Sequence, residues 1–70
     1  MNKTLVKAYT VYYEDNARQG IAYLRDDLDS TEAEVFFYHA RIKGSAQFED
    51  DADRQFTLEY KSNKYTLIRR

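Results

Sequence analysis

From Lys3 to Tyr13, KTLVKAYTVYY, hydrophobic side chains occupy both alternating sets of positions. Leu5, Tyr9, Val11 and Tyr13 fall on one set with Lys7 among them, and Val6, Ala8 and Tyr12 on the other. Successive strand residues point to opposite faces, so the pattern predicts one strand that is central in the sheet or covered on both sides. Its β-branched and aromatic content suits that assignment. A polar loop over Glu14–Gly20 follows, where Asp15-Asn16 suits a turn. Ile21–Arg25 is expected as a second strand, forming a hairpin with the first. A helix over residues 17–28 competes, because Ala17, Ile21, Leu24 and Leu28 keep helical spacing. Gly20 inside it would cost about 1 kcal/mol relative to alanine, which favours the strand.

The period changes at Asp29. Asp29 followed by Glu32 reads as a capping box, in which each side chain accepts a hydrogen bond from a backbone N–H of the first turn. Leu28 and Ala33 have the spacing of a hydrophobic staple. Acids at the start (Asp29, Glu32, Glu34) and bases at the end (Arg41, Lys43) complement the helix dipole, and Gly44 stands where a left-handed cap is expected. A helix over about 30–43 is therefore predicted. Phe36, Tyr38, Ala40 and Ile42 also alternate with period two, but a strand would leave the caps unexplained. At about 100° per residue, Ala33, Phe36, Phe37 and Ala40 make a face for a sheet, while Val35, Tyr38 and Ile42 make a second apolar stripe. Glu34 and Arg41 divide the two faces on one side; Glu32, His39 and Lys43 divide them on the other. The plain expectation is that the same chain covers the second stripe; the alternative is another molecule.

Past Gly44 the alternation returns. Ala46–Glu49 is a short strand and Asp50–Asp53 a turn. In Gln55–Lys61, Phe56, Leu58 and Tyr60 face in. Ser62-Asn63 is a tight hairpin turn, and Lys64–Arg69 returns with Tyr65 and Leu67 on one face. The expected fold is α+β, a small single domain over residues 1–70 ordered β-β-α-β-β-β. An antiparallel or mixed sheet carries one helix packed on one face.

Composition narrows the function classes. A 70-residue chain buries a modest share of its surface, and this one has no cysteine and a single histidine. It therefore lacks a disulfide framework and the ligands of a Cys- or His-based zinc site. Stability must come from an aromatic-rich core, with seven Tyr and four Phe, or from oligomerisation. No apolar run reaches the ~20 residues of a membrane span, and MNKTLVKAY lacks the apolar core of a signal peptide. A cytoplasmic location is the default expectation.

The net charge of −1 selects no partner, but the charges are unevenly distributed. Residues 26–34 carry five acids and no base, whereas residues 54–70 carry five bases and one acid. The acidic run at 49–53 lacks the ligand pattern of a calcium-binding loop, and no glycine-rich phosphate cradle is present. His39 has no nucleophile at a spacing that signals catalysis. No catalytic residue, metal, cofactor or small-molecule substrate is indicated, and the expected class is a non-enzyme.

Two binding roles remain. The first is a protein–protein interaction module, expected to form a homodimer, with Val35, Tyr38 and Ile42 as its interface; tyrosine is favoured at such surfaces. The second is nucleic-acid binding through aromatic side chains on a sheet flanked by bases. Its candidates are Lys7, Tyr9, Tyr13, Tyr23 and Arg25 from the first hairpin and Lys61, Lys64, Arg69 and Arg70 from the last.

Overall fold

The computed structural model describes all 70 residues as two layers, one five-stranded sheet and one helical layer. The strands are β1 (Asn2–Val6), β2 (Tyr9–Tyr13), β3 (Ser45–Glu49), β4 (Gln55–Lys61) and β5 (Lys64–Arg69). They lie in the order β1-β2-β5-β4-β3. Neighbours are antiparallel except β2 and β5, which run parallel and join the two ends of the chain at the middle of the sheet. The architecture is the expected α+β with a mixed sheet, but it has two helices, and the first two strands fall elsewhere.

The first correction is at residues 3–13. They form a hairpin, with Val6 opposite Tyr9 and the reversal at Lys7-Ala8. Both turn residues take positive φ, 48° and 78°, as a type I′ hairpin turn requires. Lys-Ala carries no turn signal, which is why the pattern reads as one strand. Apolar residues on both alternating sets have the same origin. Val6 and Val11 are buried on the inner face, whereas Leu5 is 63% exposed on the outer one.

The second correction concerns Ile21–Arg25, which are helical. The chain enters a 3-10 turn at Asp15–Ala17, runs as helix α1 (Arg18–Ala22) and leaves through a π turn at Tyr23–Asp27. Ala17, Ile21 and Leu24 are buried against the sheet. Burying Ile21 and Leu24 contributes about 1.5–3 kcal/mol each, which outweighs the ~1 kcal/mol helix cost of Gly20. Gly20 also has a packing role. A Cβ there would lie 2.8 Å from Phe56 Cδ1 and 2.9 Å from Leu67 Cδ2, so only glycine lets α1 sit this close to β4 and β5.

Helix α2 (Ser30–Lys43) follows its sequence signals closely. Asp29 Oδ1 accepts from the Glu32 N–H at 2.8 Å, and Glu32 Oε1 accepts from the Asp29 N–H at 3.1 Å. Gly44 ends the helix at φ 92°, its N–H donating to the Ala40 carbonyl at 2.7 Å. Ala33, Phe37 and Ala40 are fully buried. Phe37 stacks on Tyr9 with ring centroids 4.3 Å apart and meets Tyr65 edge-on at 4.9 Å. The Tyr65 hydroxyl donates to the Phe37 carbonyl at 3.4 Å, and burial raises its pKa. The β4–β5 hairpin turns at Ser62-Asn63, again with φ positive at both residues (54° and 63°). No helix is long and apolar enough to cross a membrane.

Candidate functional site

Helix α2 lies on the sheet with one face and turns the other to solvent. Val35, Tyr38 and Ile42 are 61%, 62% and 58% exposed, so no segment of this chain covers the stripe. Beside it runs an open groove of about 440 Å³, lined by Tyr9, Thr31, Glu34, Val35, Tyr38, Arg41 and Tyr65. Its floor is set by the Phe37–Tyr9–Tyr65 packing described above. Glu34 and Arg41 stand on the groove side of the stripe, and neither forms an ion pair within the chain. The Arg41 guanidinium lies 5.9 Å from the centroid of the Tyr38 ring, which keeps the two side chains together at the rim.

The residues expected to bind nucleic acid do not share one surface. Tyr9 and Tyr13 point to the helix-covered face of the sheet, Tyr9 half-buried and Tyr13 buried. Tyr23 lies in the helical layer and stacks on Phe48 at 5.9 Å. Burial raises its hydroxyl pKa, and the carboxylates of Asp51, Glu32, Asp27 and Asp50 add to the shift. Arg25 makes two hydrogen bonds to Asp26 in the same layer. Arg69 lies at the end of the inner face, its guanidinium 5.8 Å from the Phe56 ring centroid, and Lys7 sits in the first hairpin turn. The expected platform on Tyr9, Tyr13, Tyr23 and Arg25 is thus dispersed, because it presumed a strand where α1 and its π turn lie. Lys61 and Lys64 do share a surface, the sheet face that no helix covers. Arg70 follows β5, its N–H donating to the Gln55 carbonyl at 2.8 Å.

That open face also carries two residues the sequence pattern had not singled out for a site. Lys3 is opposite Tyr12, and Tyr12 lies beside Thr66 across the parallel pair. The Lys64 ammonium is 4.7 Å from the centroid of the Tyr12 ring. Only the register brings these residues together, since 52 positions separate Tyr12 from Lys64 along the chain.

The acidic run at 49–53 is organised from within. Asp50 is buried, and its Oδ1 accepts from the N–H groups of Ala52 and Arg54, both at 3.0 Å. Its Oδ2 pairs with Arg54 Nε at 2.7 Å. Burial alone would raise this carboxyl's pKa, but the Arg54 side chain and the two backbone N–H groups outweigh it and hold the pKa below the ordinary range. No three His, Cys, Asp or Glu side chains converge where they could hold a metal ion. His39 is exposed on α2, with Val35, Phe36, Ala46 and Gln47 around the shallow depression beside it.

No protein-family model, curated protein or solved structure matches this chain.

Proposed function

We propose that the chain is a non-enzymatic protein–protein interaction module that self-associates, pairing α2 with α2 of a second copy about a two-fold axis. The observation that carries this reading is the exposure of Val35, Tyr38 and Ile42 on a helix whose other face buries Ala33, Phe37 and Ala40. Grouped apolar side chains left in water favour association, because pairing removes their surface from solvent.

The charges beside the stripe favour a second copy over an unrelated partner. A two-fold axis crossing α2 between Phe37 and Tyr38 runs the helices antiparallel. It brings Val35 of one copy near Ile42 of the other and leaves Tyr38 beside its own equivalent. Glu34 then faces Arg41 of the second copy along one edge, and Glu32 faces Lys43 along the other. Both edges are self-complementary about the same point, as an isologous interface requires. The open groove lies on the Glu34/Arg41 edge, where the second copy's Tyr38 ring can lodge against Tyr9 and Tyr65.

The test is sedimentation or light scattering from low to high micromolar concentration. The wild-type chain is expected to be a dimer. Tyr38→Glu, which places a charge at the centre of the stripe without touching the packed face, is expected to give a monomer with an unchanged circular dichroism spectrum. A wild-type monomer throughout overturns the proposal. A dimer indifferent to Tyr38→Glu overturns it too, and directs attention to the free edges of β1 and β3, which can pair by strand addition.

A further inference from the structure

We propose that the open face of the sheet is a second binding surface, and that its occupant is single-stranded nucleic acid. The proposal rests on a different set of residues from the α2 stripe. Lys3, Thr10, Tyr12, Lys61, Lys64 and Thr66 come from four strands and share one corner of this face. Lys64 lies directly opposite Lys61, Tyr12 lies between Lys3 and Thr66, Thr10 precedes the Val11 that pairs with Tyr65, and the Lys64 ammonium rests over the Tyr12 ring. One half-exposed aromatic ring thus adjoins Lys64 and Lys3, with Lys61 one strand beyond Lys64 and the hydroxyls of Thr10 and Thr66 on the same face.

Stability does not account for this arrangement. Like charges directly opposite each other on neighbouring strands are unfavourable, and Lys61 faces Lys64. Lysines that protect a sheet edge are common, which accounts for Lys3 on the edge strand β1, but Lys61 and Lys64 stand on the interior strands β4 and β5. None of the three lysines forms an ion pair within the chain, not even with Glu59, which stands opposite Thr66 on the same face. The acids most crowded in sequence lie on the other layer. Asp26, Asp27 and Asp29 flank the helices, and the loop carrying Asp50 and Asp51 packs beside Gln19, Ala22 and Tyr23. A polyanion approaching this corner therefore meets three lysines against the single carboxylate of Glu59, although the whole chain carries a net −1.

The chemistry of the corner selects the class of polyanion. Tyr12 already holds a cation against its ring. A nucleobase can take that place by stacking and release the Lys64 ammonium to a phosphate, while Lys3 and Lys61 meet the neighbouring phosphates. Bases are free to stack in this way only in single strands. An acidic peptide would use the lysines and leave Tyr12 idle, so the tyrosine separates the two.

The experiment titrates the 15N-labelled full chain with an oligothymidine of about 12 nucleotides and reads amide shifts and affinity. Shifts are expected at Lys3, Thr10, Tyr12, Lys61, Lys64 and Thr66. With three phosphates neutralised, a tenfold rise in salt should weaken binding about 100-fold. Lys61→Gln/Lys64→Gln should abolish most of the binding, and Tyr12→Ala should weaken it about tenfold. Arg25→Gln, in the helical layer, should leave it unchanged. Absence of binding at low salt, shifts confined to another surface, or full affinity in Tyr12→Ala would overturn the proposal. Equal binding of polyglutamate would overturn it as well, by showing a face that reads charge alone.

Discussion

At the scale of single residues, Asp50 shows how a buried charge is kept. Its carboxylate replaces lost hydration with two backbone N–H groups and the Arg54 guanidinium. Asp50→Ala is expected to cost about 1.5–3 kcal/mol at neutral pH, the range for hydrogen bonds to a charged group. The folded-state pKa is lowered, so this contribution is complete above the ordinary carboxylate range and disappears as pH falls through the lowered value. Urea denaturation at neutral pH and again below about pH 3 should show the gap between wild type and variant closing in acid. Asp15 is also lowered, by its hydrogen bonds to Asn2 and Arg18, and Asp26 by its bond to Arg25. Both remain in the two proteins, so their effects cancel in the comparison. A gap that stays constant across pH would mean that the loop's hydrogen bonds do not depend on the ionised carboxylate.

At the scale of elements, local signals were sufficient where they agreed with one another and misleading where tertiary packing overrode them. Helix α2 was legible because the capping box, the dipole charges and Gly44 all mark the same span. The β4–β5 hairpin was legible because clean alternation flanks a residue, Asn63, that tolerates positive φ. The first hairpin was not, since its turn places Ala8 at φ 78°. An L-residue in that region costs about 1–2 kcal/mol, a penalty glycine does not incur. Ala8→Gly should therefore stabilise the protein by roughly 0.5–1 kcal/mol, after allowing for the added freedom of glycine in the unfolded chain. A higher thermal midpoint, with the amide spectrum of β1 and β2 preserved, is the expected result. A lower one would argue that Lys7-Ala8 does not form this turn.

At the scale of the whole molecule, a single sheet covered on one side leaves two surfaces without partners, the outer stripe of α2 and the bare face of the sheet. The proposed dimer uses the first, and its charged edges provide a test of geometry beyond simple disruption. Glu34→Lys and Arg41→Glu should each weaken dimerisation about tenfold, since each puts like charges together at two symmetry-related places worth up to about 1 kcal/mol apiece. The double variant should recover to within about threefold of wild type, as measured by sedimentation equilibrium. A double variant no better than the sum of the singles would exclude the antiparallel pairing. The two surfaces lie on opposite layers, so a dimer formed through α2 would present two open sheet faces, each with its lysine corner, pointing away from each other.

Local patterning and capping chemistry specify the helix from Ser30 to Lys43, the three C-terminal strands, the inward set Phe56, Leu58, Tyr65 and Leu67, and the second apolar stripe on α2. All of these depend on residues close in the chain, where period and capping chemistry act directly. Packing in three dimensions made residues 15–27 helical, because the sheet rewards burial of Ile21 and Leu24 and Gly20 permits the close approach. It also decided that the stripe stays uncovered, since one layer of helices suffices to bury the inner face of five strands. The basic corner around Tyr12 exists only through the register of β1, β2, β5 and β4, and no periodicity within a segment records which strands will become neighbours.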